Sequence, residues 1–118
     1  MNSDIVLQNG SISTQCVHFF IHEGGWVSTA EISMIDENTW DFNRLIVHRT
    51  MRGKGYSSLL VDKVIEFCKE NKLNLQCGIN PYGDMDFKQL RDFYLRHGFQ
   101  ETEHEELLVF NYYKKEEI

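Results

Sequence analysis

The stretch "RLIVHRTMRGKGYSSLLVDKVIEF", Arg44–Phe67, decides how the chain is read. It opens on an apolar run and turns through Arg52-Gly53-Lys54-Gly55. Beyond the turn, Leu60, Val64, Phe67 and Cys68, flanked by Val61 and Ile65, recur at helical spacing. A strand, a basic glycine turn and a helix therefore follow one another. Such a turn either joins two elements or cradles a phosphate, and the surroundings must decide.

Upstream, the pattern alternates with period two. Val17, Phe19 and Ile21 share a face in a strand over Ser13–His22, and Trp26, Ala30, Ile32 and Met34 share one in a strand over Trp26–Ile35. "HEGG" at His22–Gly25 is a hairpin turn, and "DEN" at Asp36–Asn38 is another. A third strand runs from about Trp40 to Val47, and apolar residues around Val6 add a short one at the start. Downstream, Lys69–Lys72 ends the helix, and Leu73, Leu75, Cys77 and Ile79 line one face of a further strand. "NPYGD", Asn80–Asp84, is a loop. Asp84 or Asp86 caps a second helix, in which Leu90, Phe93, Tyr94 and His97 form the apolar stripe, and Gly98 closes it. A short strand from Phe99 and a longer one over Leu107–Tyr113 complete the order β-β-β-α-β-α-β-β. The expectation is one α/β (α+β) domain over residues 1–118, with a mixed, mostly antiparallel sheet and one central β-α-β crossover.

Composition narrows the partners. The 118 residues are 42% hydrophobic and 25% charged, which suits one folded core. The net charge of −6 argues against nucleic acid, aids solubility, and favours a cationic partner. No apolar run approaches the roughly 18 residues of a membrane span, and the start carries no leader pattern, so no membrane role is expected. Cys16, Cys68 and Cys77 are scattered without a CxxC pair and read as free thiols of a reducing, cytoplasmic compartment. His18 and His22 alone are a poor start for zinc, so no metal is expected.

Two phosphate loops fail on their residues. A Walker loop needs GxxxxGK[ST], but His48 stands five residues before Gly53, and Gly55 is followed by Tyr56. A dinucleotide fingerprint needs GxGxxG after the first strand of a β-α-β unit, but Gly53-Lys54-Gly55-Tyr56-Ser57-Ser58 lacks the third glycine, and antiparallel strands precede it. Arg52-Gly53-Lys54-Gly55-Tyr56-Ser57, with the later "LRDFYLRHGF" ending Tyr-x-x-x-Gly-Phe at Tyr94–Phe99, instead resembles the GNAT superfamily of acyl-coenzyme A-dependent N-acetyltransferases. The likeness covers about residues 26–113, and Ser57 replaces the usual Gly or Ala of [RQ]xxGx[GA].

The resemblance implies acetyl-coenzyme A as acyl donor, with its pyrophosphate on the loop Arg52, Gly53, Lys54, Gly55, Tyr56 and Ser57. A helix N-terminus presents N–H groups and partial positive charge, and glycines allow close approach, so the physics agrees. The pantetheine arm would lie along Leu45, Ile46 and Val47, pairing amide to amide like an added strand. Tyr94 would meet the leaving sulfur, and Asp41 is the candidate base for the amine, with Glu31 a rival. By simple alternation Asp41 shares a face with Asn43, Leu45 and Val47. Many relatives carry an asparagine seven residues before the tyrosine; here that residue is Phe87, and Asn80 is the substitute for that coenzyme contact.

Relatives also carry a pair of helices before the third strand, and this chain has no room for them. The acceptor site would then be open to a protein or peptide amine, or completed by a second subunit as a homodimer. The contrasting expectation is a non-catalytic module that binds coenzyme A or a protein partner.

Overall fold

The structure is a computed structural model that describes residues 4–8, 16–81 and 85–112. Seven strands form one sheet: β1 (Asp4–Gln8), β2 (Cys16–Glu23), β3 (Trp26–Met34), β4 (Thr39–Ile46), β5 (Asn74–Gly78), β6 (Gln100–Glu101) and β7 (Leu107–Phe110), in the order β1-β2-β3-β4-β5-β7-β6. Helix α1 (Tyr56–Glu70) joins β4 to its parallel neighbour β5, and α2 (Phe87–Arg96) follows β5. Every other strand pairing is antiparallel. The short opening strand is present as an end strand of the sheet, and β3 and β7 flank the β-α-β core. Expectations at Ser13–Gln15, Tyr82–Asp84 and Tyr113 lie outside the described residues.

Local chemistry explains the turns. Gly24 and Gly25 both have positive φ, 58° and 84°, between the paired Glu23 and Trp26. That is a two-residue primed turn, whose twist suits a hairpin. Helix α1 ends with Lys72 in the left-handed region, φ 56°. Leu73 N–H bonds the Cys68 carbonyl and Lys72 N–H the Lys69 carbonyl, a Schellman closure made without glycine. Asp86, not Asp84, caps α2: its side chain accepts from Gln89 N–H at 2.9 Å, and the Gln89 side chain accepts from Asp86 N–H at 2.9 Å.

Both helices cover the same sheet face. Phe19, Ile21, Ala30, Ile32, Phe42, Leu75, Cys77 and Leu108 point into the core there, with Leu60, Val61 and Val64 of α1 and Phe93 and Tyr94 of α2. Phe67 meets Phe19 edge-on at 5.8 Å, and Tyr94 meets Phe42 at 5.8 Å. Trp26 and Met34 were expected on that buried face, but they sit at the strand ends and are 49% and 38% exposed. The outer face carries His18, Phe20, Thr29, Glu31 and Asp41, all half-buried. Seven residues join β1 to β2, and no described helix lies over this face.

One contact stitches the helices together. His97 accepts or donates at 3.1 Å to Ser58 Oγ through Nε2 and at 3.0 Å to Asp62 through Nδ1, with its ring 4.7 Å from Phe93. The connectivity is that of a Ser-His-Asp relay, but the Asp62 side chain is 63% exposed and Ser58 does not line the shallow groove beside it. It works as a staple between α1 and α2. His97→Ala should lower unfolding stability by about 1 kcal/mol, the loss of one part-buried and one exposed hydrogen bond. Urea denaturation checks this; an unchanged midpoint would show that the staple contributes nothing.

Candidate active site

The sheet opens where β4 and β5 part. Their parallel pairing runs from Thr39↔Asn74 to Phe42↔Cys77 and stops there. Beyond it, residues 43–47, Gly78 and Asn80 line a cleft of about 410 Å³, closed by Met85, Leu90 and Tyr94 and ending at Arg52, Gly53 and Ser57. Clefts outside the carboxyl ends of parallel strands are the usual ligand sites of open α/β sheets.

The end of the cleft is a helix terminus built for an anion. Gly53 and Gly55 have φ of 80° and 81°, values that side-chain-bearing residues avoid. The N-cap of α1 is Gly55, which has no capping side chain, and the first turn holds no acid. Helix α2, with its Asp86–Gln89 box, shows what an ordinary capped start looks like in this chain. The turn before α1 is braced from the core. Buried Ser28 accepts from His48 N–H at 2.9 Å and donates to Met51 Sδ at 3.2 Å. Arg52 Nε donates to the Val47 carbonyl at 3.1 Å, tying the loop to the end of the preceding strand.

The structure divides the expected loop residues. Arg52, Gly53 and Ser57 line the cleft, as do Asp41, Leu45, Ile46, Val47, Asn80 and Tyr94. Lys54, Gly55 and Tyr56 do not. Lys54 Nζ bonds Glu23 Oε1 at 3.0 Å, and the Tyr56 hydroxyl donates to Glu23 Oε2 at 3.0 Å. Their side chains hold the loop against the end of β2, a contact across more than thirty residues that local reading missed. The Lys54 hydrogen bond, then the Tyr56 one, hold the Glu23 carboxyl below its ordinary value of 4.5. A lowered folded-state value stabilises the fold above the unfolded one and is lost as pH falls through it. Glu23→Gln should therefore flatten the acid-side fall of melting temperature below pH 4.5, measured by calorimetry across pH.

Strand β4 departs from simple alternation. Its register steps from Phe42↔Ile32 to Arg44↔Glu31, leaving Asn43 as an extra residue. This bulge reverses which residues face which side. Trp40 and Phe42 point to the helices, and after the bulge so does Leu45, opposite the buried Ala30. Asp41 thus lies on the outer face and does not share a side with Leu45 and Val47, contrary to strict alternation. Asn43 donates to Ser33 Oγ across the outer face. Glu31, the rival base, does not line the cleft and is engaged by Cys16, His18 and Arg44.

Tyr94 is fixed by the end of its own helix. Gly98 takes φ 104°, Phe99 N–H bonds the Tyr94 carbonyl at 3.2 Å, and the Phe99 ring meets Tyr94 edge-on at 5.5 Å. The Tyr-x-x-x-Gly-Phe spacing is therefore a helix closure that pins the tyrosine ring between Phe42 and Phe99. Its hydroxyl bonds Cys77, whose thiol is pushed up to about 12 chiefly by burial, the Tyr94 bond acting the other way and Asp41 adding to the rise. Cys77 stays a neutral thiol beside the cleft and adds no rival nucleophile.

Comparisons with known proteins agree with this geometry. The fold is similar to a GNAT family acetyltransferase from Elizabethkingia anophelis, solved with acetyl-CoA bound, at 17% identity and TM-score 0.65 over 83% of this chain and 77% of that one. It is similar to an acetyltransferase of GNAT family from Staphylococcus aureus Mu50, at 20% identity and TM-score 0.66 over 82% and 68% of the two chains. It also matches the anti-CRISPR protein AcrVA5, at 20% identity and TM-score 0.64 over 80% of this chain and 98% of that one. Residues 14–101 match the acetyltransferase (GNAT) domain. With the parted strands, the glycine-capped helix and the pinned tyrosine in family order, the chain belongs to the GNAT acetyltransferase family.

Proposed function

We propose that this chain transfers an acetyl group from acetyl-coenzyme A to a primary amine by direct attack. One observation carries the reading: the cleft between β4 and β5 runs from the buried Tyr94 to the uncapped, glycine-turned start of α1. A ring-lined end and, at the other, a helix N-terminus suit a thioester and a pyrophosphate respectively. Backbone N–H groups of Gly53–Ser57 and the Arg52 guanidinium would meet the phosphates. The arm would lie along Leu45–Val47, with Asn80 bonding it from the β5 side. Lys54 and Tyr56 would act from behind, by holding the loop through Glu23.

The bulge supports a two-sided reaction. Tyr94 stands on the helix side, where the sulfur would leave, and Asp41 on the outer side, where the amine would arrive. An amine with a pKa of about 10.4 is mostly ammonium at neutral pH, so Asp41, directly or through a water, would take its proton. A backbone N–H of Leu45–Val47 would stabilise the thioester oxygen as charge builds. Among the described residues no helix lies over the outer face, which would leave room for an amine on a peptide or protein, and the net charge of −6 would draw a cationic one.

Thiol release from acetyl-coenzyme A over a panel of amines, peptides and proteins tests the reading, with calorimetry for coenzyme binding. Turnover with any amine supports it. Tight coenzyme binding with no turnover on any acceptor would overturn it in favour of a non-catalytic coenzyme-binding module.

A further inference from the structure

Cys16, His18 and Glu31 are separated along the chain and adjacent in the sheet. Cys16 and His18 lie two apart on β2, so both point to the outer face. Glu31 is the cross-strand partner of His18 on β3. Their Sγ, ring nitrogen and carboxylate oxygen all lie within 4.8 Å of one another, and all three residues are half-buried, within reach of solvent. Cys16 Sγ donates to Glu31 Oε2 at 3.0 Å, and His18 Nε2 lies 3.4 Å from Glu31 Oε1.

A thiol, an imidazole and a carboxylate converging on one point form a donor set for a borderline-soft ion. Sulfur and nitrogen donors disfavour magnesium and calcium and suit zinc, with a water in the fourth position. We propose that Cys16, His18 and Glu31 form a zinc(II)-binding site on the outer face of the sheet. The proton that Cys16 now shares with Glu31 leaves to solvent, and the freed sulfur pair forms the metal bond. Glu31 supplies an oxygen and His18 its unprotonated Nε2. Thiolate and carboxylate together balance the two positive charges.

Tetrahedral zinc places such donor atoms about 3.3 to 3.8 Å apart. Closing from the present spread needs side-chain rotation alone, because the β2–β3 pairing at Cys16↔Ser33 and His18↔Glu31 already fixes the backbone. One group opposes the ion. Arg44 Nε lies 3.3 Å from Glu31 Oε1, and its side chain, 53% exposed, must swing into solvent. That competition makes a prediction of its own: removing the Arg44 charge should tighten binding.

Cobalt(II) is the probe, since a cysteine thiolate gives it a sulfur-to-metal charge-transfer band. The full chain, without an added histidine tag, should bind one cobalt per chain, show that band, and release the cobalt to zinc. Cys16→Ser should abolish the band. Cys16→Ser and His18→Ala should each weaken zinc binding more than about tenfold. Arg44→Gln should strengthen binding, and His22→Ala, on the same strand face, should leave it unchanged. Circular dichroism melts confirm that each variant is folded. Absence of one-to-one binding, or a band that survives in folded Cys16→Ser, overturns the proposal.

Discussion

Gly55→Val is expected to weaken acetyl-coenzyme A binding by more than about a hundredfold. The residue has φ 81°, and a Cβ there meets no other atom within 4 Å, so the defect lies in the backbone and not in crowding. A left-handed conformation costs a side-chain-bearing residue about 1 to 2 kcal/mol, and a β-branched one more. The loop would relax away from that conformation and turn its N–H groups off the phosphates. Hydrogen bonds to charged groups contribute about 1.5 to 3 kcal/mol each, so losing two exceeds a factor of a hundred. Gly25→Val is the control. Its φ of 84° imposes a similar strain in the β2–β3 turn, and Gly25 does not line the cleft. Calorimetry should show affinity lost in the first variant and kept in the second. Equal affinities in Gly55→Val and wild type would remove the phosphate assignment.

Tyr94→Phe should lower kcat roughly tenfold to a hundredfold while leaving coenzyme affinity within a factor of about three. A free phenol, ordinarily near pKa 10, would not fully protonate a thiolate whose conjugate acid is near 8.5, a transfer uphill by about 2 kcal/mol. On the proposed reading Tyr94 would donate a hydrogen bond as charge grows on sulfur, and that bond would be strongest late in the reaction. The ring would stay pinned between Phe42 and Phe99, so the fold should lose less than about 1 kcal/mol with the Cys77 bond. Single-turnover rates across acceptors separate the two roles. A variant with the wild-type rate would make Tyr94 a packing residue.

The order of strands and helices was legible because period and punctuation agreed. Gly24-Gly25 marked a hairpin, Leu60, Val64 and Cys68 marked a helix, and Gly98 marked its successor's end. The glycine turn at the strand–helix junction was legible too, and Gly53 and Gly55 both take positive φ there. Three features were not. The bulge at Asn43 carries no glycine or proline signal and arises from pairing with β3. Lys54 reads locally as a phosphate ligand, yet Glu23 reaches it only once β2 lies beside the loop. Cys16, His18 and Glu31 likewise meet through strand register alone. Each depends on partners distant in sequence, which no local window contains.

Asn43 acts as a change of parity. Were β4 to alternate strictly through Asn43, Asp41 and Leu45 would face the same side, and on the proposed reading an amine at the one would compete for space with an arm along the other. On the same reading, the bulge would instead let a single strand serve two molecules from opposite directions. Deleting Asn43 would let Phe42 and Arg44 follow Ile32 and Glu31 without a step, so the strand would straighten while Asp41 kept the outer side and Leu45 the inner one.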